Sequence, residues 1–226
     1  MAVDPAGGFR FPGGDTRTVV IGATGTGKTT FGAWLLSHAR FDKRPWVILD
    51  YKREELFDQV GFPPLQQLRV GAMPRKRGLF IMSPRPDDDD AVEDWLWRIW
   101  EKGNVGIFVD EATLLPGQHA FKAILRQGRS KRIPVIACTQ RPVDIEREVF
   151  TEANFISVFR VQDERDYKTI RGFIRNQDVD RPLAERHSFW YDVARNLLLR
   201  LGPCPRPEAI VERFRDVVPY SWFFGG

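Results

Sequence analysis

Apolar and polar positions alternate in blocks along this chain, and the blocks predict strands and helices in turn. Continuous apolar runs predict buried strands at residues 18–21, 46–49, 79–82, 105–109, 133–138 and 155–161. The other segments predict helices at residues 28–40, 53–60, 88–102, 118–128, 144–152 and 163–173, then a β-hairpin at 188–193 and 197–201 and a last helix at 207–217. Buried strands that alternate with helices predict an α/β fold, in which a mostly parallel sheet carries helices on both faces.

The sequence predicts one domain with a short extension at each end. Its 226 residues, 42% of them hydrophobic, can bury one sizeable core, which we assign to residues 16–218. Residues 1–15 are rich in Gly and Pro and predict a flexible N-terminal arm. Residues 219–226 predict an aromatic C-terminal tail, which suits packing onto the domain, the interpretation we favour, or docking of a partner.

Composition narrows the class of protein. No apolar run approaches the length of a membrane span and no signal peptide is visible, so we expect a soluble intracellular protein without a transmembrane segment. The two cysteines, Cys138 and Cys204, support neither a disulfide framework nor a zinc site, and Cys138 lies in an apolar run typical of the core. A net charge of +4 permits nucleic-acid binding without indicating it.

A nucleotide-phosphate cradle is predicted by the run Gly22-Ala23-Thr24-Gly25-Thr26-Gly27-Lys28-Thr29. Its glycines let the backbone curl, so that successive N–H groups point at the phosphates. Lys28 is expected to reach the β- and γ-phosphates and the Thr29 hydroxyl to ligate Mg²⁺. Thr30 completes the predicted contacts. The context also fits a phosphate site, because a strand enters the loop and the helix that leaves it favours an anion at its N-terminus.

A second motif, Gly106-Ile107-Phe108-Val109-Asp110-Glu111, is an apolar strand that ends in two carboxylates. Asp110 has the position at which a phosphate-loop enzyme holds Mg²⁺. Glu111 can polarise a water molecule for in-line attack on the γ-phosphate, which favours ATP hydrolysis coupled to motion. The alternative is that Glu111 only caps the segment that follows.

The next apolar strand ends in Cys138-Thr139-Gln140-Arg141-Pro142. A polar side chain at this strand tip, Gln140, can hydrogen-bond the γ-phosphate and respond to its loss. A polar turn before Pro142 is the alternative interpretation.

Three local features have two interpretations each. Asp87–Asp90 could bind a metal, but we favour the first turn of a helix, where acidic residues offset the dipole. Trp95, Trp97 and Trp100 could stack on bases, but we favour packing against the sheet. The run 75–77, Arg-Lys-Arg, could contact phosphates, and a solvated loop is the favoured interpretation.

Asp110-Glu111, then Gly128-Arg129, then Thr139-Gln140-Arg141-Pro142 resemble the FtsK/HerA superfamily of DNA-pumping ATPases. The segment 49–52, Leu-Asp-Tyr-Lys, resembles that superfamily's D-P-K segment, with Tyr in place of the usual Pro. The resemblance covers about residues 18–161. Within the superfamily, this short chain resembles the genome-packaging ATPases of tailless, internal-membrane icosahedral viruses, which push double-stranded DNA into a preformed capsid.

The resemblance implies a RecA-like P-loop NTPase of the additional-strand, catalytic-Glu type, with ATP and Mg²⁺ as cofactors. The strand that leads to Gln140 is expected between the phosphate-loop strand and the Asp110 strand. The resemblance also implies a homo-oligomeric ring, commonly a hexamer, with active sites at subunit interfaces. Such a site needs a cation from the neighbouring subunit. Arg129 is our first choice, with Arg126, Arg141 and Arg160 as alternatives and a plain surface role for Arg129 as the opposing interpretation.

The resulting hypothesis is a DNA-translocating ATPase that packages viral double-stranded DNA, without sequence preference, with capsid or vertex proteins as partners. Its implied location is the packaging vertex of the virion and the host cytoplasm. Two alternatives remain open at this point. One is a related ATPase for phage assembly, secretion or DNA transfer, and the other is a nucleotide-dependent structural module of the vertex with slow turnover.

Overall fold

A single nine-stranded sheet organises the domain, and the computed structural model describes residues 8–117 and 119–218. Its strands are Arg17–Ile21 (β1), Pro45–Leu49 (β2), Leu65–Gln67 (β3), Gly78–Met82 (β4), Gly106–Val109 (β5), Val135–Thr139 (β6), Phe155–Val158 (β7), Ser188–Asp192 (β8) and Leu197–Leu201 (β9). Its helices are Lys28–Leu36 (α1), Glu55–Val60 (α2), Asp89–Lys102 (α3), His119–Gln127 (α4), Glu148–Thr151 (α5), Glu164–Phe173 (α6) and Pro207–Val217 (α7).

The order of the strands is β3-β4-β2-β5-β6-β1-β7-β8-β9. The first seven run parallel to their neighbours, and β8 and β9 close the sheet as an antiparallel hairpin. This arrangement confirms the predicted α/β fold and the C-terminal hairpin. It also confirms that β6, which leads to Gln140, lies between β1 and β5.

Two hydrophobic clusters fill the two sides of the sheet. Helices α1, α2 and α7 cover one face, and α3 to α6 cover the other. Successive strand residues point to opposite clusters: Val19 and Ile21 join the second group of helices, and Val20 joins the first. Both faces are therefore buried, which explains why the strands appear in the sequence as unbroken apolar runs.

Several element boundaries differ from the sequence prediction. Strand β3 was not predicted, because Leu-Gln-Gln is too short and too polar to stand out as a strand. Strand β6 begins at Val135 and not at residue 133, since Pro134 has no N–H to donate to the sheet. Helix α1 ends at Leu36 and not at residue 40. The predicted helix at 144–152 is reduced to α5, because the chain first makes a short 3-10 turn at Pro142–Asp144.

The part of the N-terminal arm that the structure describes lies against the domain. The ring centroid of Phe9 is 4.9 Å from that of Trp190. The Arg10 guanidinium donates hydrogen bonds of 2.8 and 2.9 Å to the two carboxylate oxygens of Asp192, which is 1% exposed. The flexibility of residues 1–15 and the domain limits stay predictions. Residues 1–7 and the aromatic tail at 219–226 lie outside the described residues.

The structure favours the helical interpretation of the acidic run Asp87–Asp90. Pro86–Asp88 form a 3-10 turn and Asp89 begins α3, and no group of metal-binding side chains occurs within the described ranges. Among the tryptophans of α3, Trp95 is fully buried, Trp100 is half-buried and Trp97 is 38% exposed. Trp95 therefore packs against the sheet, as predicted, whereas Trp97 faces solvent.

Candidate active site

The carboxyl ends of four neighbouring strands meet at one edge of the sheet. In spatial order these are β2, β5, β6 and β1, and each is followed by a polar segment. The segments are Asp50–Lys52, Asp110–Glu111, Gln140–Arg141 and Gly22–Thr29. In open α/β sheets this edge is where ligands bind, because side chains from separate strands converge there.

The phosphate cradle has the backbone that its glycines predict. Gly25 and Gly27 adopt φ angles of 77° and 95°, in the left-handed region that favours glycine. The Ala23 N–H donates to the Arg160 carbonyl oxygen at 3.0 Å, which ties the loop to the end of β7. Helix α1 begins at Lys28, so its first N–H groups face the cleft, as an anion site requires.

Thr29 and Asp110 meet at the centre of the site. The Thr29 hydroxyl donates to Asp110 Oδ1 at 2.9 Å, and Lys28 Nζ lies 3.5 Å from Thr29 Oγ1. Asp110 is fully buried, and within the described part of the chain its Oδ2 atom receives no hydrogen bond. A buried carboxylate oxygen without a donor, next to a hydroxyl, fits a hard divalent cation such as Mg²⁺.

Glu111 is held by three donors and is only 4% exposed. Lys52 Nζ lies 2.8 Å from its Oε2 atom. The Thr113 hydroxyl, at 3.0 Å, and the Gln140 backbone N–H, at 3.2 Å, donate to its Oε1 atom. These contacts fix the carboxylate at the tip of β5. Lys52 was not assigned a role from the sequence, although it follows β2 and lies in the segment 49–52 that resembles the D-P-K segment.

Gln140 lies at the rim of the cradle. Its Oε1 atom accepts a 2.9 Å hydrogen bond from the Thr24 hydroxyl, inside the phosphate loop. The same residue contacts Glu111 through its backbone N–H. Gln140 therefore connects the phosphate loop to Glu111, the predicted base.

Two further carboxyls, neither of which was assigned a role from the sequence, lie near Asp110. The Glu54 N–H donates to both carboxylate oxygens of Asp50 at 3.1 and 3.2 Å. Burial raises the pKa of Asp50 to about 6, the Glu54 N–H opposes that rise and the charge of Asp110 adds to it. Burial also raises the pKa of Glu54, and Asp110 adds to this effect as well. The site is therefore rich in negative charge before a cation enters.

A cleft with a cavity volume of about 360 Å³ opens over the phosphate loop. It is lined by Ala23, Thr24, Gly25, Gly27, Lys28, Thr29, Thr30, Glu54, Gln140, Glu185 and Arg186. Arg186 precedes the C-terminal hairpin, so sequence spacing gave no sign that it reaches the cradle. Its Nη2 atom lies 3.9 Å from Cys204 Sγ, which lies 3.9 Å from the Gly27 carbonyl oxygen. Both cysteines are buried and free.

The candidate arginines fall into two groups. Arg141 and Arg160 lie at the carboxyl edge of the sheet, and Arg141 pairs with Asp163 at 3.3 Å. Arg129 precedes β6 and therefore lies at the amino edge, where its Nε atom is 3.8 Å from Asp15 Oδ2. The five residues of β6, about 17 Å long, separate Arg129 from the cleft of its own chain. Arg126 lies in the last turn of α4 and pairs with Glu148.

The sheet order, the phosphate cradle and the Asp110-Glu111 pair define the class of protein: a P-loop ATPase of the FtsK/HerA type. No family model matches the chain. It is 37% identical over 218 residues to the DNA packaging ATPase P9 of Enterobacteria phage PRD1, covering 91% of this chain and 95% of that protein. The chain therefore belongs to the family of DNA packaging ATPase P9.

Solved structures agree on the fold. The genome packaging NTPase B204 from Sulfolobus turreted icosahedral virus 2, in complex with ATP-gammaS, superposes with a TM-score of 0.62 at 18% identity, over 86% of this chain and all of that one. VirB4 of Thermoanaerobacter pseudethanolicus gives a TM-score of 0.64 at 10% identity, over 89% of this chain and 93% of that one. At the described positions, no helix combines the length and the apolar character that crossing a membrane requires.

Proposed function

We propose that this chain is the motor that moves double-stranded DNA into a preformed viral capsid, driven by ATP hydrolysis. The observation that carries the proposal is the 37% identity to DNA packaging ATPase P9 along nearly the whole of both chains. The cleft supports it, because Asp110, Glu111 and the phosphate loop supply the groups that hydrolysis needs.

Binding of the triphosphate falls to the loop that follows β1. The N–H groups of Gly22–Thr30 surround the phosphates, and Lys28 places its charge at the β- and γ-phosphates. Arg186 adds a second positive charge at the same cleft. Thr29 and Asp110 would hold Mg²⁺, which neutralises charge on the phosphates when bound.

Glu111 has the position of the general base. Its carboxylate accepts a proton from a water molecule, the water oxygen attacks the γ-phosphorus atom, and ADP leaves with the β–γ bridging oxygen. Lys52 and Thr113 keep the carboxylate oriented. Gln140 hydrogen-bonds the γ-phosphate and responds to its loss, because it also contacts Glu111 and Thr24.

The remaining charge at the γ-phosphate is offset by a cation from a neighbouring subunit. Arg129 is the proposed residue, because it is 75% exposed and lies at the edge opposite its own cleft. This role requires a closed ring, for which we propose a hexamer, working at the packaging vertex of the virion and in the host cytoplasm. Capsid or vertex proteins are the proposed partners of the ring.

Steady-state ATP hydrolysis, with and without double-stranded DNA, tests the function. We expect turnover that rises with DNA and that falls at least a hundredfold in Glu111→Gln, on the scale of a lost general base. Nucleotide binding should survive in the variant, since Glu111 makes no part of the phosphate loop. Turnover indifferent to DNA would favour a related ATPase with another cargo, and binding without turnover would favour a structural module.

A further inference from the structure

The edge of the sheet opposite the nucleotide cleft carries a dense positive charge. Seven parallel strands begin there, and the central five are β4, β2, β5, β6 and β1. The segments that lead into them are residues 74–77, 38–44, 101–104, 128–134 and 13–16. We call the charged residues of these five segments the basic edge.

The charge of the basic edge differs from that of the rest of the chain. Its segments hold ten Lys or Arg and three Asp or Glu, a net charge of +7, whereas the whole chain carries +4. The other residues together are therefore net negative, at −3. The modest overall charge hides this asymmetry, because the excess comes from three separate segments, residues 38–44, 74–77 and 128–134.

Contacts between the segments hold the basic edge together. The Arg44 guanidinium donates to the Arg132 carbonyl oxygen at 2.6 Å and to that of Gly14. Arg77 Nη1 donates to the Asp42 carbonyl oxygen at 2.9 Å, and Lys102 Nζ donates to the Pro74 carbonyl oxygen at 3.1 Å. In each case, backbone oxygens receive the hydrogen bonds, so the positive charges are positioned without being neutralised.

The carboxylates of the basic edge are too few to offset its cations. Asp42 pairs with Arg40 at 2.8 Å and lies 3.8 Å from Lys43. Asp15 lies 3.8 Å from Arg129. Like charges that share one surface repel each other, and a bound polyanion would relieve that repulsion.

We propose that the basic edge binds the phosphate backbone of double-stranded DNA. The proposal rests on the proposed packaging function, which makes DNA the substrate. Five adjacent strands at about 4.8 Å spacing span about 19 Å, a length over which duplex DNA carries about 11 phosphate charges. Nine cations besides Arg129, which we assign to the neighbouring cleft, come close to that density, and backbone contacts of this kind carry no sequence preference.

The position of the basic edge separates DNA binding from ATP chemistry. The nucleotide cleft opens at the carboxyl ends of the same strands, so the two ligands occupy opposite edges of one sheet. From the sequence, we interpreted the cations at residues 75–77 as part of a solvated loop. In the structure they are exposed, and the other basic segments lie beside them, so they belong to a larger surface.

A matched pair of triple variants tests the proposal. The edge variant is Lys43→Gln, Arg75→Gln and Lys76→Gln, all exposed. The control variant, Lys168→Gln, Arg175→Gln and Arg206→Gln, removes the same charge from exposed positions elsewhere. Fluorescence anisotropy with a labelled duplex is measured over a salt series for both variants and for the unmodified chain. ATP turnover is measured with and without DNA.

We expect the edge variant to lose on the order of tenfold or more in DNA affinity and to flatten the salt dependence by about two to three released counterions. Its turnover without DNA should be unchanged, which shows that the cleft is intact. The control variant should keep the affinity and the salt slope of the unmodified chain.

Other results overturn the assignment. Unchanged DNA affinity in the edge variant, or an equal loss in the control, removes DNA from the basic edge. Normal DNA binding with lost attachment to capsids would instead assign this surface to an acidic capsid protein. If the unmodified chain neither bound DNA nor hydrolysed ATP faster in its presence, the proposed packaging function itself would fail. The unmodified chain alone reveals that outcome, without either variant.

Discussion

Lys52 and Glu111 form a charged pair at the base of the nucleotide cleft. The pair is 2.8 Å long, and the Lys52 side chain is 27% exposed, so the contact is shielded from much of the solvent. Thr113 and the Gln140 backbone supply the other hydrogen bonds to this carboxylate. We therefore propose Lys52 as a positioning residue, which would act on ATP through Glu111.

Replacing Lys52 with Met should lower kcat on the order of tenfold to a hundredfold, within or below the range that a general base itself contributes. The KM for ATP should change little, because Lys52 does not belong to the phosphate loop. Lys52→Arg should recover part of kcat, since it keeps the charge near Glu111. A rise in KM at constant kcat would instead make Lys52 a nucleotide-binding residue.

Asp50 makes the stability of the empty protein depend on pH. Its folded pKa, about 6, lies above its ordinary value, so the folded state favours the protonated carboxyl. The stabilisation is complete below the unfolded pKa near 4 and is lost as the pH rises through about 6. Asp50→Asn removes this dependence, because the amide does not ionise.

Thermal unfolding with a metal chelator, from pH 4 to pH 8, measures the effect. The stability of Asp50→Asn relative to the unmodified chain should increase across this interval, by at most about 3 kcal/mol. Parallel curves for the two proteins would show that Asp50 does not titrate in this range.

At the scale of elements, strand β5 depends on the absence of a side chain at Gly106. This residue lies opposite Trp46 of β2, and a Cβ atom on Gly106 would overlap the Trp46 ring. Gly106→Ala should reduce the free energy of unfolding by about 1–3 kcal/mol, as overpacking of a core does. Because β5 carries Asp110 and Glu111, ATP turnover should fall as well.

Gly172→Ala is the matched control for denaturant unfolding. Gly172 lies in α6, and no atom comes within 4 Å of an added Cβ. Alanine should therefore keep or raise stability, by up to about 1 kcal/mol, through its higher helix propensity. Equal losses in both variants would contradict the packing argument for Gly106.

Most of the strands and the main residues of the site could be predicted from the sequence. Continuous apolar runs predicted strands β1, β2 and β4 to β7, and the hairpin pattern predicted β8 and β9. The polar residues at strand tips predicted the phosphate loop, Asp110, Glu111 and Gln140, which the structure brings to one edge of the sheet. Lys52 and Arg186 were not assigned to the site from the sequence. Their proximity depends on strand order and on the path of the loop before the hairpin, which a pattern of apolar positions does not encode.

At the scale of the whole molecule, the proposed role of Arg129 requires a second copy of the chain to complete the cleft. Arg129→Ala and Glu111→Gln should each abolish turnover as separate proteins. Co-expressed, they should regain part of it, because an Arg129→Ala subunit keeps its own Glu111 and can receive Arg129 from its neighbour.

Co-expression of Asp110→Asn with Glu111→Gln is the control for this mixing experiment. Both residues belong to one cleft, so we expect turnover to stay absent in the mixed ring. ATP hydrolysis at matched total protein concentration measures all combinations. No recovery in the Arg129 mixture would assign the cation to Arg126, Arg141 or Arg160.

The opposite placement of the nucleotide cleft and the basic edge has a mechanical consequence. The strands between them are short, parallel and packed on both faces, so we expect the sheet to move as one rigid unit. With an arm of about 17 Å, a tilt of about 11° about the cleft shifts the far edge by about 3.4 Å. That displacement equals the spacing of consecutive base pairs along the duplex, about 3.4 Å. If the basic edge holds the duplex as proposed, a rotation of this size in one subunit would advance the DNA by one base pair.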